Sequence, residues 1–342
     1  MTTHRVPTMR ALVQDGYGAP ERVLRLSDID RPHAGAGDVL VQVRAASVNT
    51  PDWATVNGVP YVLRLRSGLR RPSHPVRGSD VAGVVEAVGR DVTGLRPGDE
   101  VFGSTWDGGK GSQAGTFAQY TIAPASQLVT KPAGLSFEDA ASSVMTGLTA
   151  LIAMRDVGGV GPGTRVLING ASGGVGTMAV QIARSLGAEV TGVCSGRHVE
   201  LVQSLGADHV VDYTKEDFTQ SGARYDVILD NVLNHPPRAT ARALAPDGVL
   251  IPNSIGNTAG LLGRLVGGLP RLARASLLGR GATNVKLVTA AVNRENLDAL
   301  VRLLESGEVR VVIDRTYPLH EAPRAVTQML GHHASGNVAI TV

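Results

Sequence analysis

Three glycines, at positions 170, 173 and 176 in the run Thr164-Arg-Val-Leu-Ile-Asn-Gly-Ala-Ser-Gly-Gly-Val-Gly-Thr177, carry the most specific chemistry in this chain. Glycines so spaced serve a tight turn, a close approach of backbone to a diphosphate, and close packing of a helix on a strand. The first amide groups of the helix that follows have no partners within it and favour negative charge. Around them, Val166–Ile168 reads as a buried strand, Val175–Leu186 as an amphipathic helix, and Glu189–Cys194 as a second strand. A glycine triplet alone is common in turns, but strand, glycines, helix and strand in succession point to a dinucleotide. Gly170, Ser172, Gly173, Gly174, Val175 and Gly176 are therefore candidate contacts to NAD or NADP.

The residue ending the second strand separates these two cofactors. An acid there pairs with the ribose 2′-hydroxyl of NAD; NADP needs the acid absent and a cation supplied. Here the strand ends in Ser195, followed by Gly196 and Arg197, and no carboxylate comes before Glu200. Ser195 can hydrogen-bond a 2′-phosphate and Arg197 can meet it with charge-assisted donors, which favours NADPH. Asn231, Ser254 and Ile255 follow the ends of later strands, where ligands lie in such sheets.

The elements that position these residues alternate regularly. A capping-box-like Ser136-Phe-Glu-Asp139 opens a helical stretch to about Met154. Strand and helix signals then follow at Val190–Cys194, His198–Leu205, His209–Asp212, Tyr225–Asp230, Pro236–Leu244, Val249–Pro252, Val285–Thr289 and Glu295–Glu305. That rhythm predicts an α/β, doubly wound parallel sheet. The first third reads instead as short strands, among them Ala11–Gln14, Val39–Arg44, Val81–Val88 and Glu100–Phe102. The tail returns to mixed structure: Val309–Ile313 as strand, a helix near Ala322–Leu330, and Val338–Val342 as strand. Asn257–Gly281, rich in Gly, Leu and Arg, breaks the rhythm and reads as a lid, a membrane-surface helix or a covering helix pair. Gly267, Gly268 and Pro270 interrupt its apolar face and count against the membrane.

Composition limits the alternatives. The 342 residues, 43% hydrophobic and 18% charged, suffice for two domains. A net charge of +3 with dispersed basic residues, and 4% aromatics, argues against nucleic acid. The single cysteine, Cys194, excludes an internal disulfide and fits a reducing cytoplasm. Met1–Thr8 is polar and reads as neither a secretory signal nor a transmembrane segment, so no stable membrane insertion is expected.

Ala46-Ser-Val-Asn-Thr-Pro-Asp-Trp53, Gly78-Ser-Asp-Val-Ala-Gly-Val-Val-Glu-Ala-Val-Gly89, Pro97-Gly-Asp-Glu-Val-Phe102, Thr146-Gly-Leu-Thr-Ala150 and Gly170–Gly176 together resemble the medium-chain dehydrogenase/reductase superfamily over nearly the whole chain. They are similar to its zinc-free quinone oxidoreductase branch, close to the reticulon-interacting mitochondrial reductases and bacterial relatives. The resemblance implies a GroES-like β-rich catalytic domain, residues 1–135 completed by 308–342, with a Rossmann domain at 136–307. It also implies a homodimer, and adds Tyr213 as a contact to the 2′-phosphate. Asn49 and Asp52 would flank the nicotinamide as catalytic candidates, with Thr146 and Thr149 near the cofactor.

Where zinc-dependent members carry their first cysteine this chain has Asn49, and Ser79 stands in the place of their histidine. No cysteine falls between Gly103 and Gln119, and His332-His333 read as a surface pair, so no zinc is expected. Without a metal Lewis acid, acceptors that spread their own charge suit the site: quinones and α,β-unsaturated carbonyls. Asn49 reads equally as a turn residue before Pro51, Asp52 as a helix cap, and Trp53 as a core aromatic. Ala54 stands where relatives often have a tyrosine or lysine, and Asn337 where they have lysine. Those departures keep open a non-enzymatic NADPH-binding sensor or scaffold. An enoyl-thioester reductase would need a basic groove, which Arg64, Arg66, Arg70, Arg71 and Arg77 could supply unless they form a solvated loop.

Overall fold

The computed structural model describes residues 7–106, 114–254, 284–330 and 335–342. Ile255, the 257–281 segment and His332-His333 lie outside the described residues. The chain divides into two compact units: Met1–Met145 with Ala291–Arg302 and Ile313–Val342, and Thr146–Ala290 with Leu303–Val312.

In the first unit, β1 (Thr8–Gln14) and β2 (Leu24–Asp30) form an antiparallel pair. The larger sheet runs β14 (Ile313–Pro318), β15 (Asn337–Thr341), β3 (Asp38–Val48), β4 (Asp80–Val88), β5 (Glu100–Ser104) and β7 (Leu128–Thr130), with β6 (Tyr120–Pro124) also on β3. Val39, Val41 and Val43 alternate along β3 and, with Val81 and Val85 of β4 and Val101 of β5, are buried in a common core. The predicted strand at Val309–Ile313 is a correction: β14 starts at Ile313, where the expected strand ends. Its four-residue shift follows from pairing in parallel with β15, a partner the local pattern does not reveal. β2, β6 and β7 carried no clear signal of their own.

In the second unit all pairings are parallel, in the order β10 (His209–Asp212), β9 (Glu189–Cys194), β8 (Arg165–Asn169), β11 (Tyr225–Asp230), β12 (Leu244–Pro252), β13 (Asn284–Val285). That is the 3-2-1-4-5-6 order of a dinucleotide-binding sheet, whose direction of winding switches between β8 and β11. β8, β9 and β11 are buried almost throughout, as strands covered on both faces must be. The strand expected at Val285–Thr289 is found at Asn284–Val285, in register with Val249 and Leu250 of β12, and the Lys286 N–H still donates to the Leu250 carbonyl at 3.0 Å.

Helix α4 (Phe137–Leu151) starts as expected: the Asp139 N–H donates to Ser136 Oγ at 3.0 Å. It continues as a π-helical turn over Ile152–Val157. The division between the two compact units falls within α4, after Met145.

Candidate active site

In the parallel unit the turn after β8 is tied down by backbone. Gly170 sits at φ +80°, in the left-handed region, and the N–H groups of Gly170 and Ala171 both donate to the Val193 carbonyl at 3.1 and 3.0 Å. A Cβ at Gly176 would lie 2.1 Å from the Gly170 carbonyl oxygen, so helix α5 (Gly174–Ser185) packs on the turn only with glycine there. Gly173 is different: it is the N-cap, in extended conformation, and a Cβ would meet only the Gly170 oxygen at 3.6 Å. The first intrahelical bond is Thr177 N–H to Gly173 O, so the N–H groups of Gly174, Val175 and Gly176 have no acceptor within the helix. Ser172 is half-buried beside them. This cradle fits a dinucleotide diphosphate.

The ends of β9 and β10 come together, as the Tyr213 N–H donates to the Cys194 carbonyl at 3.0 Å. Tyr213 is thereby held beside Ser195 and Arg197; its ring and Arg197 are exposed, and Ser195 is half-buried. An acid does stand near this end of β9, one strand over. Asp212 accepts from the Thr214 N–H at 3.0 Å and hydroxyl at 2.7 Å, and Lys215 Nζ lies 3.3 Å away. The Thr214 bonds hold its carboxyl below the ordinary range. A Cβ at Gly196 would approach its Oδ2 to 2.6 Å.

At the switch between β8 and β11, Asn169 Nδ2 donates to Asp230 Oδ1 at 2.8 Å, and the same oxygen accepts the N–H groups of Val232 and Leu233. This holds Leu233 at φ +56°, a rare conformation for a residue with a branched side chain. Asn231 accepts from Asn253 Nδ2 at 2.8 Å, while its own buried Nδ2 has no partner among the described residues. Ser254 lies two residues beyond the end of β12 and is half-buried. Thr146 and Thr149, three residues apart on α4, are both buried.

In the antiparallel unit β3 leads into α2 (Thr50–Asn57), where Asn49 and Asp52 form a capping box and Pro51 fits the first turn. The Asn49 N–H donates to Asp52 Oδ2 at 2.8 Å, and its Nδ2 donates to Asp80 Oδ2, also at 2.8 Å. Asn49 thus bridges two carboxyls. Asp80 Oδ2 also accepts the Met145 N–H at 3.0 Å, and Oδ1 is buried. Ser104, opposite on β5, donates its hydroxyl to the Ser79 carbonyl at 3.1 Å and also lies against Asp80, whose proton affinity it lowers.

Burial raises both acids from the ordinary 3.8 to about 7. For Asp52 the Asn49 N–H and the charge of Arg77 work against burial. For Asp80 the Met145 N–H and the Asn49 amide do so, while the Asp52 charge adds to the rise. Arg77 itself is lowered to about 10 by its own burial, opposed by Asp52 and Tyr17. Two coupled carboxyls titrating near neutrality can hold and release a proton at working pH.

Sequence reasoning passed over Asp80, Asp212, Asn169 and Asp230. The signal for Asp80 was present in Gly78-Ser-Asp80, where attention went to Ser79. Trp53 and Ala54 are buried within α2. The arginines of 64–77 are not one groove, since Arg64 is stacked between Tyr17 and Tyr61 and Arg77 is turned inward near Asp52. Among the described residues no group of three or more His, Cys, Asp or Glu is placed to hold a metal ion, and no helix is long and apolar enough to cross a membrane.

A parallel sheet in this order with a glycine cradle, in a chain that also forms a largely antiparallel β unit, is the architecture of two-domain pyridine-nucleotide enzymes. Residues 35–133 match an alcohol dehydrogenase GroES-like domain and residues 205–340 a zinc-binding dehydrogenase domain. A chloroplastic quinone-oxidoreductase, QR1, of Triphysaria versicolor is 31% identical over 97% of this chain and 98% of its own length. The human mitochondrial NAD(P)H oxidoreductase RTN4IP1 is 34% identical over 100% of this chain and 91% of its own. The quinone oxidoreductase structure from Coxiella burnetii superposes with a TM-score of 0.84 at 27% identity, covering 98% of this chain and 100% of that one. The chain belongs to the medium-chain dehydrogenase/reductase superfamily, in its quinone-oxidoreductase-like branch, and is an NAD(P)H-dependent oxidoreductase.

Proposed function

We propose that the protein is a zinc-independent, NADPH-dependent reductase that passes hydride to a quinone or an α,β-unsaturated carbonyl. The observation that carries this reading is the pair of residues at the metal positions of zinc-dependent members. Asn49 and Ser79 stand there, and the Asn49 amide is committed to Asp80 at 2.8 Å. An amide and a hydroxyl are poor zinc ligands, and an acceptor that delocalises its own charge does not require one.

Bound NADPH supplies the hydride. In this reading the amides of Gly174, Val175 and Gly176 take the diphosphate, with Gly170, Ser172 and Gly173 forming the turn around it. Ser195, Arg197 and Tyr213 take the 2′-phosphate, and Lys215 offsets the Asp212 charge beside them. Asn231, whose Nδ2 has no partner among the described residues, together with Thr149, Ser254 and Ile255, orients the remainder of the cofactor. Asn49, Asp52 and Thr146 are the catalytic candidates, to which Asp80 is added as the acid paired with Asp52 through Asn49. With Ala54 unable to donate a proton, the carboxyl pair holds one in reserve. The reading carries a cytoplasmic homodimer with it; the relatives named above are chloroplastic and mitochondrial.

The test is oxidation of NADPH and of NADH by purified protein against a para-quinone, an ortho-quinone, an enone, an enal and a crotonyl thioester, with zinc measured on the same sample. Turnover selective for NADPH with a quinone or enone, insensitive to chelators and with zinc well below one per chain, is the expected outcome. Stoichiometric zinc, or NADPH binding with no turnover on any acceptor, overturns it.

A further inference from the structure

Between Asp52 and Asp80 the chain contains no carboxylate but five arginines, at 64, 66, 70, 71 and 77. The same stretch gathers exposed apolar side chains. Among the described residues seven large hydrophobics are exposed, and four of them, Tyr61, Val62, Leu65 and Leu69, fall within residues 61–69. Leu65 is 74% and Leu69 68% exposed, values expected of charged side chains rather than leucines.

This display is held in place. Arg64 stacks on Tyr17 and Tyr61, 4.4 and 4.5 Å from their ring centroids, and its Nε donates to the Gly58 carbonyl at 2.8 Å. The Tyr17 hydroxyl donates to the Gly68 carbonyl at 2.5 Å. The Ser73 N–H donates to the Ser67 carbonyl at 2.8 Å and closes the chain between them into a loop. At Gly68, φ +111°, a Cβ would lie 2.0 Å from the Arg71 oxygen, so the turn is tight. Arg64 is used up in holding the loop, while Leu69, Arg70 and Arg71 are left exposed on it.

We propose that residues 61–71 dock on the surface of an anionic lipid bilayer, with Leu65 and Leu69 entering the headgroup–acyl boundary and Arg70 and Arg71 meeting lipid phosphates. Apolar residues flanked by cations are what such a surface binds, through buried area and charge together. A second copy of the chain fits poorly, because an isologous contact would set these arginines against their own copies. A soluble polyanion would use the arginines and leave the leucines in water. For a reductase of quinones, docking brings acceptors dissolved in the bilayer within reach; that consequence rests on the proposed reaction, and the docking does not.

The experiment is co-sedimentation of the full chain with vesicles of phosphatidylcholine alone and of phosphatidylcholine with one third phosphatidylglycerol. Binding is expected to the anionic vesicles only, falling as salt rises. The double variant R70Q/R71Q should bind about thirtyfold more weakly, the loss expected for two juxtamembrane cations. L65S/L69S should also lose binding, with melting temperatures near the parent's showing that both variants fold. No binding to anionic vesicles, equal binding to both kinds, or variants that bind like the parent overturns the proposal. So does a sedimentation coefficient that falls in L65S/L69S without lipid, which would mean that a second copy covers these leucines.

Discussion

The candidate cofactor cradle and the carboxyl pair are built by opposite means. After β8 the working groups are backbone: a left-handed glycine, two N–H bonds to one carbonyl, and the free amides of α5. Around Asn49 they are side chains, drawn from β3, α2, β4 and α4 and buried with little to spare. Backbone needs only residues that stay out of its way, so its requirements are written locally as glycines. A side-chain network needs partners at a distance, and each buried charge alters the proton affinity of the next. The first kind of site binds a group common to many substrates; the second kind sets how the chemistry responds to pH.

The cradle breaks most sharply at Gly176. Gly176→Ala puts a methyl group 2.1 Å from a carbonyl that cannot move without the turn, at the upper end of overpacking costs, about 3 kcal/mol. NADPH binding followed by fluorescence should be lost and the melting temperature should fall. A variant that binds normally would mean that the turn tolerates what its geometry forbids.

The carboxyl pair is sharpened by Asp80→Asn, which keeps the shape while removing one charge. If the pair supplies a proton to the reaction, kcat/KM should fall by about a hundredfold, the low end for general acid catalysis, and its pH profile should lose the limb near 7. A profile identical to the parent's confines Asp80 to structure. Stability moves the other way. Both acids are raised by burial, so the unfolded chain ionises first and the native state loses stability as pH climbs from about 4 through about 7. Asp80→Asn removes part of that loss, so over this window the variant's melting temperature should gain on the parent's.

The smallest effect tests whether an exposed side chain can refine a backbone site. Arg197→Ala should raise the Michaelis constant for NADPH about tenfold, near 1.4 kcal/mol, and leave that for NADH unchanged. Equal effects on both cofactors would remove Arg197 from the 2′-phosphate and leave Ser195 and Tyr213 to read it.

Much of this was legible along the chain. The glycine turn, the alternation of strand and helix and the cap at Ser136 depend on neighbours within a few residues. The edges were less so: β14 starts four residues after its expected position because β15 sets its register, and β13 is as short as its ladder with β12. Asp212 was passed over because it sits on β10, and becomes a neighbour of Gly196 only when β10 lies beside β9.

Asp80 marks the limit most clearly. Its partners, Asn49 and Met145, are 31 and 65 residues away, and nothing in Gly78-Ser-Asp80 announces either. By itself the sequence determined that a strand, a glycine turn and a helix would form in succession, since glycine enters left-handed backbone at no steric cost and lets a helix approach closely. Only the tertiary structure decided that Asn49 would bridge two acids and that burial would bring both near neutrality, because desolvation and charge coupling depend on distances through space that the order of residues does not contain.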